Sequence, residues 1–158
     1  MTEIEKDKDF TITAVDRALD ILIYIYRQGH PVRVSDIARD MGQHKSTIFR
    51  ALYTMEKKGF IVKNPENETY WLGMKLFAIG SCVQEKMSIT SLAQPVAKAL
   101  YEELHEVVNL SILELHAVNT PKIIVVHKEE SDTRLLKANP SVGKFSDCHS
   151  SAAGKCLL

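Results

Sequence analysis

The sequence predicts an α+β fold, in which three helices and a hairpin precede a second unit of helices and strands. Three observations lead to this prediction. Apolar residues repeat at helical spacing in three successive segments between Thr13 and Lys58. Two short β-type runs then flank a polar turn from Lys63 to Glu68. Beyond Val107, β-branched runs of strand length replace the helical pattern.

Thr13 is predicted to be the N-cap of the first helix, because Thr13-Ala-Val-Asp16 has the pattern of a capping box. The residues before it, 1–12, are expected to form a flexible tail. Gly29, just before Pro31, ends the helix. Its helically spaced apolar residues are Val15, Ala18, Leu19, Leu22, Ile25 and Tyr26.

Two further helices are predicted on either side of a glycine turn at Gly42. Ser35 is expected to cap the second helix, and the third spans about Lys45–Lys58 before Gly59. The inward-facing residues are Ile37, Ala38 and Met41 on the second helix, and Ile48, Leu52 and Met55 on the third. Two short helices joined by a tight turn are typical of a helix-turn-helix.

The hairpin that follows is predicted to be a wing. Its strands are Phe60-Ile-Val62 and Thr69–Leu72, and Trp71 is expected to close it onto the helices. Three helices and then a hairpin is the order of a winged helix-turn-helix, so residues 13–73 are interpreted as one DNA-binding domain. Two acids at the tip, Glu66 and Glu68, would weaken contact with phosphate.

The outer faces of the third helix carry side chains suited to a major groove. Hydroxyls and cations there can reach base edges or phosphate oxygens. Arg33, just before the second helix, is a candidate phosphate contact. The candidate DNA-binding residues are Arg33, Lys45, Ser46, Thr47, Arg50, Tyr53, Thr54 and Lys57. A plain solvated face is the alternative for the helix alone.

The distribution of charge along the sequence supports DNA binding more strongly than the net charge does. The 158-residue chain has a formal net charge of zero. From Arg27 to Lys63, however, eight Lys or Arg residues stand against three Asp or Glu residues, which indicates one basic surface. Zero net charge and an acidic wing tip leave open a rival from another class, a winged-helix protein-interaction module.

The second half begins with an apolar helix at Met74–Val83, inside a predicted linker over residues 74–87. Gly80 would let another backbone approach closely. This helix is either part of a core or pairs with its counterpart in a dimer. Residues 88–158 form the last predicted domain, with a helix inside Gln84–Glu106 that carries Leu92, Val96, Leu100 and Leu104 at four-residue steps.

Strands follow in this last domain. Val107–Leu115 and Lys122–His127 are predicted to pair as a hairpin around a turn at 119–121. Thr133–Ala138 is expected to be a third strand. The remaining residues, from about Pro140, are predicted to form a loop and then the start of a helix.

The sequence resembles the IclR family of bacterial transcriptional regulators. The residues carrying the resemblance are "AVDRALDIL" (14–22), "SDIARDMG" (35–42), "KSTIFRALYTMEKKGFI" (45–61), "YWLGMKLFAIG" (70–80), "VVNLSILE" (107–114) and "VGKFSDCHSSAAGKCLL" (142–158). Each is weak alone, but their order and spacing are specific. The resemblance implies a winged-helix head, a linker helix and a GAF-like effector domain that binds a small organic ligand. It also implies homodimers, or dimers of dimers, on double-stranded operator DNA.

The resemblance places the effector-bordering loop at Asp147, His149, Ser150 and Ser151, which are therefore candidate effector contacts. The family's effector domain continues beyond the Ala-Gly-Lys segment, whereas this sequence ends at Leu158. An incomplete effector domain, a truncated product or a non-functional fragment is therefore expected, with effector sensing lost or weakened.

Other classes of function find little support in the sequence. No apolar run reaches membrane-spanning length and no signal peptide is apparent, so a cytoplasmic location is expected. Three scattered cysteines do not form a disulfide framework. Cys148-His149 lacks partners at metal-ligand spacing, and no catalytic set converges. We expect no cofactor, no metal and no enzymatic activity.

Overall fold

The computed structural model describes residues 10–114, 120–130 and 141–158. The chain divides into two compact units, with the division between Cys82 and Val83. The first contains the helices α1 (Thr13–Gln28), α2 (Val34–Asp40) and α3 (Lys45–Lys57), followed by the strands β1 (Ile61–Asn64) and β2 (Thr69–Leu72). Helix α4 (Met74–Glu85) crosses the division.

The second unit contains α5 (Ser88–Leu104), β3 (Val108–Glu114), β4 (Lys122–Glu129) and β5 (Phe145–Asp147), then a 3-10 turn at Cys148–Ser150 and α6 (Ala152–Leu157). Its sheet is antiparallel in the order β3-β4-β5. Helices α5 and α6 both pack against β3 and β4. In the described part of this unit, the buried side chains are Ala97, Ile123, Val125 and Cys148.

The predicted order of three helices and a hairpin is confirmed. The core of the first unit joins Ile21 and Ile25 of α1 to residues of α2, α3 and both strands. The predicted inner stripe of α3 is buried, with Ile48 and Leu52 at 0% exposure and Met55 at 7%. Glycines at the predicted stops have positive φ, 70° at Gly29, 63° at Gly42 and 78° at Gly59, as expected after helix ends.

Both predicted helix caps were wrong. Helix α1 has Ile12 as its N-cap, because the Ile12 carbonyl already accepts hydrogen bonds from the N–H groups of Val15 and Asp16. Thr13 is therefore the first helical residue and not the N-cap. Helix α2 has Arg33 as its N-cap, so Ser35 lies inside the helix.

The apolar face of α1 was also predicted incompletely. Ile21, absent from the predicted set, is fully buried together with Ile25. Val15, Leu19 and Tyr26 are instead about half exposed, at 53%, 54% and 48%. The buried stripe is therefore narrower than the apolar pattern, and the rest of that pattern lies on the surface.

The wing contains a second, shorter pairing that was not predicted. Val32, in the loop before α2, forms an isolated antiparallel bridge with Tyr70 of β2. The N–H of each residue donates to the carbonyl of the other, at 3.0 and 2.7 Å. Tyr70 is buried, whereas Trp71, the residue predicted to close the wing, is only half-buried against the core. This bridge fixes the start of α2 beside the wing.

In the second unit the hairpin of β3 and β4 is confirmed, with a register shift between Leu110 and Ser111. The third strand of the described sheet is β5, in a segment predicted to be a loop; it pairs with the first residues of β4. The predicted strand Thr133–Ala138 lies outside the described residues, as do residues 1–9 and Asn119 of the predicted turn. On α5 the repeat of Leu92, Val96, Leu100 and Leu104 is exposed, and Ala97 is the buried residue.

Candidate nucleic-acid interface

Helix α3 presents a polar face opposite its buried stripe. Ile48, Leu52 and Met55 are buried against the core, and Ala51 packs beside them. The other residues between them, 49–50 and 53–54, are exposed and so point away from the core. Of the seven predicted residues on this helix, Thr47 is half-buried and the others are exposed: Lys45, Ser46, Arg50, Tyr53, Thr54 and Lys57. The burial pattern thus leaves the predicted set available to an external partner.

One member of this set already has an internal bond. The Thr54 hydroxyl donates to the Arg50 carbonyl at 2.8 Å, a common helix contact one turn back. Its hydrogen is therefore used, although its oxygen can still accept. The guanidinium of Arg50 is not involved in this bond, so the longest cation near the helix start keeps its donors for another group.

Arg33 is exposed at the N-cap of α2. The neighbouring bridge between Val32 and Tyr70 places it next to the wing. A cleft of about 570 Å³ lies at this point, lined by residues from the start of α2, the start of α3 and the wing. Among the residues that the structure describes, the cations lining it are Arg33, Lys45 and Lys63.

Lys63 and Phe49 are among the cleft residues that the sequence did not identify as part of the site. Lys63 stood at the edge of the predicted turn and was counted only in the charge balance. Phe49 is 50% exposed and Tyr53, one turn later, is 58% exposed. Two aromatics four residues apart, outside the inner stripe, are a signal that could have identified this surface.

Electrostatics in the cleft are mixed. Lys63 Nζ lies 3.1 Å from Glu68 Oε1, and the bond to that carboxylate raises the pKa of Lys63. Lys63 Nζ also lies 5.9 Å from the centroid of the Tyr70 ring. Burial raises the pKa of the Tyr70 phenol, so it stays neutral. Glu66 lines the same cleft, so the wing supplies both acids and one cation.

The candidate effector residues cluster after β5. Asp147 Oδ1 is 3.9 Å from Lys122 Nζ, and its carbonyl accepts from the Ser150 hydroxyl at 2.6 Å. The Ser151 hydroxyl accepts from the Gly154 N–H at 3.0 Å and so caps α6. His149 is exposed. Asp147, Ser150 and Ser151 thus have local structural bonds.

Within residues 10–114, 120–130 and 141–158, no group of three or more His, Cys, Asp or Glu residues is arranged to hold a metal ion. In the same described ranges, no helix has the length and apolar character needed to cross a membrane.

Two family models match the chain. The model of the IclR helix-turn-helix domain matches residues 14–65, and that of the bacterial transcriptional regulator IclR C-terminal matches residues 82–158. Together they account for most of the sequence and keep the order of the two units.

Individual proteins agree with these matches. The chain is 26% identical to the transcriptional repressor IclR of Escherichia coli K12, over 93% of this chain and 52% of that protein. It is 31% identical to the regulator XynR of the same organism, over 93% of this chain and 56% of XynR. The chain therefore spans about half the length of the curated relatives it matches.

A solved structure shares the fold. The IclR homologue from Microbacterium hydrocarbonoxydans, complexed with 4-hydroxybenzoate, matches with a TM-score of 0.74. The match has 18% sequence identity and covers 91% of this chain and 57% of that one.

Proposed function

Because the chain belongs to the IclR family of bacterial transcriptional regulators, we propose that it regulates transcription by binding operator DNA, with α3 in the major groove. The observation that supports this most directly is the exposed polar face of α3 behind a fully buried stripe. A helix held rigidly by its inner face can present fixed side chains to base edges.

The proposed roles follow from side-chain chemistry. Arg50 reads a base edge, since a guanidinium can bond both acceptors of guanine, and Ser46 and Thr47 support it. Arg33, Lys45 and Lys57 contact phosphates and supply affinity. Tyr53 and Thr54 complete the contact surface. We assign residues 13–73 to DNA binding, 74–87 to the linker and 88–158 to part of an effector domain.

We further propose a homodimer or a dimer of dimers. Helix α4 carries Met74, Phe77 and Val83, which are 74%, 69% and 60% exposed. Apolar residues of this size favour burial against a partner, and a two-fold dimer lets two winged helices read two half-sites. Sedimentation of the purified chain over a range of concentrations tests this assembly.

The proposed effector is a small organic acid, bound near Asp147, His149, Ser150 and Ser151. The 4-hydroxybenzoate complex of the Microbacterium homologue supports this class of ligand. Titration of the purified chain with 4-hydroxybenzoate tests it: a saturable isotherm that His149→Ala weakens supports the assignment, and no binding contradicts it for this ligand.

The experiment for the proposed function is an electrophoretic shift assay. DNA flanking this gene is compared with a scrambled sequence at 50 and 200 mM salt. A preferred fragment should be found, and its affinity should fall steeply with salt because phosphate contacts release counterions. A folded protein with no preference for any flanking fragment would contradict the proposal.

The rival function is a protein-interaction module. Exposed apolar side chains favour it: Phe49, Tyr53 and Val62 are each at least half exposed on α3 and β1. Salt discriminates between the two functions, because an apolar protein interface should lose little affinity between these concentrations.

A further inference from the structure

The wing holds a cation that is already neutralised. Lys63, on β1, pairs with Glu68 through a 3.1 Å contact between Nζ and Oε1. The lysine side chain is 30% exposed and the glutamate side chain 78% exposed. The carboxylate therefore reaches the lysine from the solvent side, the side from which a phosphate would approach.

Tyr70 holds Lys63 in place beneath this pair. The ring of Tyr70 is buried in the core, and Lys63 Nζ lies 5.9 Å from its centroid. Lys63 is also paired across the strands with Tyr70. A lysine packed against a fixed ring loses less conformational freedom on binding an anion than a free surface lysine does. Its position is thus preorganised for an anion, and Glu68 supplies one internally.

The backbone of the wing turn does not explain a glutamate at this position. Glu68 has a φ of 56°, in the left-handed region that disfavours most side chains. Glycine or asparagine would fit this conformation better, and Asn67 directly precedes it. The observed feature that a glutamate adds here is its carboxylate on Lys63.

The other two cations of the cleft differ from Lys63. Neither Arg33 nor Lys45 forms an ion pair with any residue in the described part of the chain, and both are exposed. They line the same cleft as Lys63 and Glu68. The cleft therefore has two uncommitted cations beside one that an acid occupies.

We infer that Glu68 acts as an internal competitor for DNA phosphate, holding Lys63 in an ion pair within the cleft and so lowering the affinity of the wing for DNA. This inference rests on the proposed DNA-binding function. A carboxylate oxygen takes the place of a phosphodiester oxygen on the lysine. Glu68 thereby limits sequence-independent binding, which leaves discrimination between sequences to α3.

A double-mutant cycle tests the inference. The dissociation constant for the preferred DNA fragment is measured by fluorescence anisotropy at several salt concentrations for the full chain. The variants are Glu68→Gln, Lys63→Gln and the two combined. Glu68→Gln should tighten binding about three- to tenfold at low salt and steepen the slope of log K against log salt by about 0.9, the value for one added phosphate contact. Lys63→Gln should change binding less than about twofold alone and should abolish the gain in the double variant.

Glu66→Gln is the matched control, because it removes the same charge from the same turn without freeing Lys63. In the Glu66→Gln variant, adding Lys63→Gln should again change the dissociation constant for DNA only slightly. Glu68→Gly is the substitute variant if Glu68→Gln folds poorly. It frees Lys63 and also removes the strain of the left-handed backbone, so it should show the same gain in DNA binding. Thermal unfolding of each variant separates folding from binding.

The outcomes separate the two proposals. If the wild type prefers its fragment but the cycle is additive, or if Lys63→Gln alone weakens binding tenfold, the inference about Glu68 is overturned and the proposed function stands. If neither the wild type nor Glu68→Gln prefers any fragment, both are overturned.

Discussion

The Tyr24 hydroxyl of α1 donates a 2.7 Å hydrogen bond to Oδ2 of Asp40, the last residue of α2. Arg39 Nε donates to the other oxygen of the same carboxylate at 2.8 Å, and Arg39 Nη1 lies 3.5 Å from Asp36 Oδ1. The bond between Tyr24 and Asp40 ties the end of α2, and so the turn into α3, to the supporting helix α1. It therefore stabilises the angle at which the candidate recognition helix is held.

Tyr24→Phe should lower the midpoint of thermal unfolding by about 2–5 °C, because one hydrogen bond to a charged group is lost while the ring is kept. Burial and then the bond to Asp40 raise the pKa of Tyr24 to about 12. The bond from Tyr24 and then that from Arg39 lower the pKa of Asp40 below its ordinary 3.8.

These shifts give the stability difference between wild type and Tyr24→Phe a definite pH dependence. The raised pKa of Tyr24 contributes stability below pH 10.0, which is lost as pH rises toward about 12. The lowered pKa of Asp40 contributes stability above pH 3.8, which is lost as pH falls through the folded value. Denaturant melts from pH 3 to 11 should show a plateau in the difference between these limits. A difference independent of pH would contradict the described contact.

Gly73→Ala should destabilise the wing by about 1–3 kcal/mol. A Cβ at Gly73 would collide with the Gly59 carbonyl oxygen and lie 3.0 Å from the Phe60 carbonyl carbon, and both are backbone atoms with little room to move. Denaturant unfolding measures the cost. An unchanged midpoint would show that the backbone at the junction between β2 and α4 can move to accommodate a methyl group.

Gly80→Ala is a contrasting substitution on α4. Within the first unit nothing lies within 4 Å of a Cβ at this position, so alanine should stabilise the helix by up to about 1 kcal/mol. If two α4 helices approach closely at Gly80 in a dimer, the same substitution should weaken self-association. Helicity by circular dichroism and sedimentation velocity report the two effects separately. Gain of helicity with unchanged association would exclude Gly80 from the dimer contact.

Ser151→Ala should expose the Gly154 amide to exchange, because the Ser151 hydroxyl is its hydrogen-bond acceptor at the start of α6. The expected cost to α6 is about 1 kcal/mol. Ser150→Ala serves as the control, since its hydroxyl bonds the Asp147 carbonyl and not the Gly154 amide. Amide hydrogen exchange followed by NMR measures both. Equal protection of Gly154 in the two variants would argue against the cap.

The sequence predicted the structure best where burial of one helix face makes apolar residues recur at helical spacing. The stripe of Ile48, Leu52 and Met55 predicted which residues of α3 would face outward, because one buried face leaves the others exposed. The helix ends at glycines were predicted equally well, since Gly29, Gly42 and Gly59 each adopt a positive φ.

Features set by tertiary contact could not be predicted in this way. The bridge between Val32 and Tyr70 joins residues 38 positions apart, and no local pattern marks it. The Lys63–Glu68 pair depends on how the wing turn folds back. The two N-cap predictions were wrong because a threonine or a serine can also occupy the first turn of a helix. The residue before that turn is then the N-cap, and its backbone carbonyl accepts the first hydrogen bonds of the helix.

The central claim is that α3 reads bases, and Arg50 tests it most directly. The preferred fragment and its scrambled control are competed against each other for binding to wild type, Arg50→Ala and Arg50→Lys. Both variants should lose about 1–3 kcal/mol of preference, because lysine cannot make the forked contact, while Arg50→Lys should keep binding to the scrambled DNA. If both variants keep the full preference for the fragment, Arg50 does not read a base. That result would also contradict the proposed docking of α3 in the major groove.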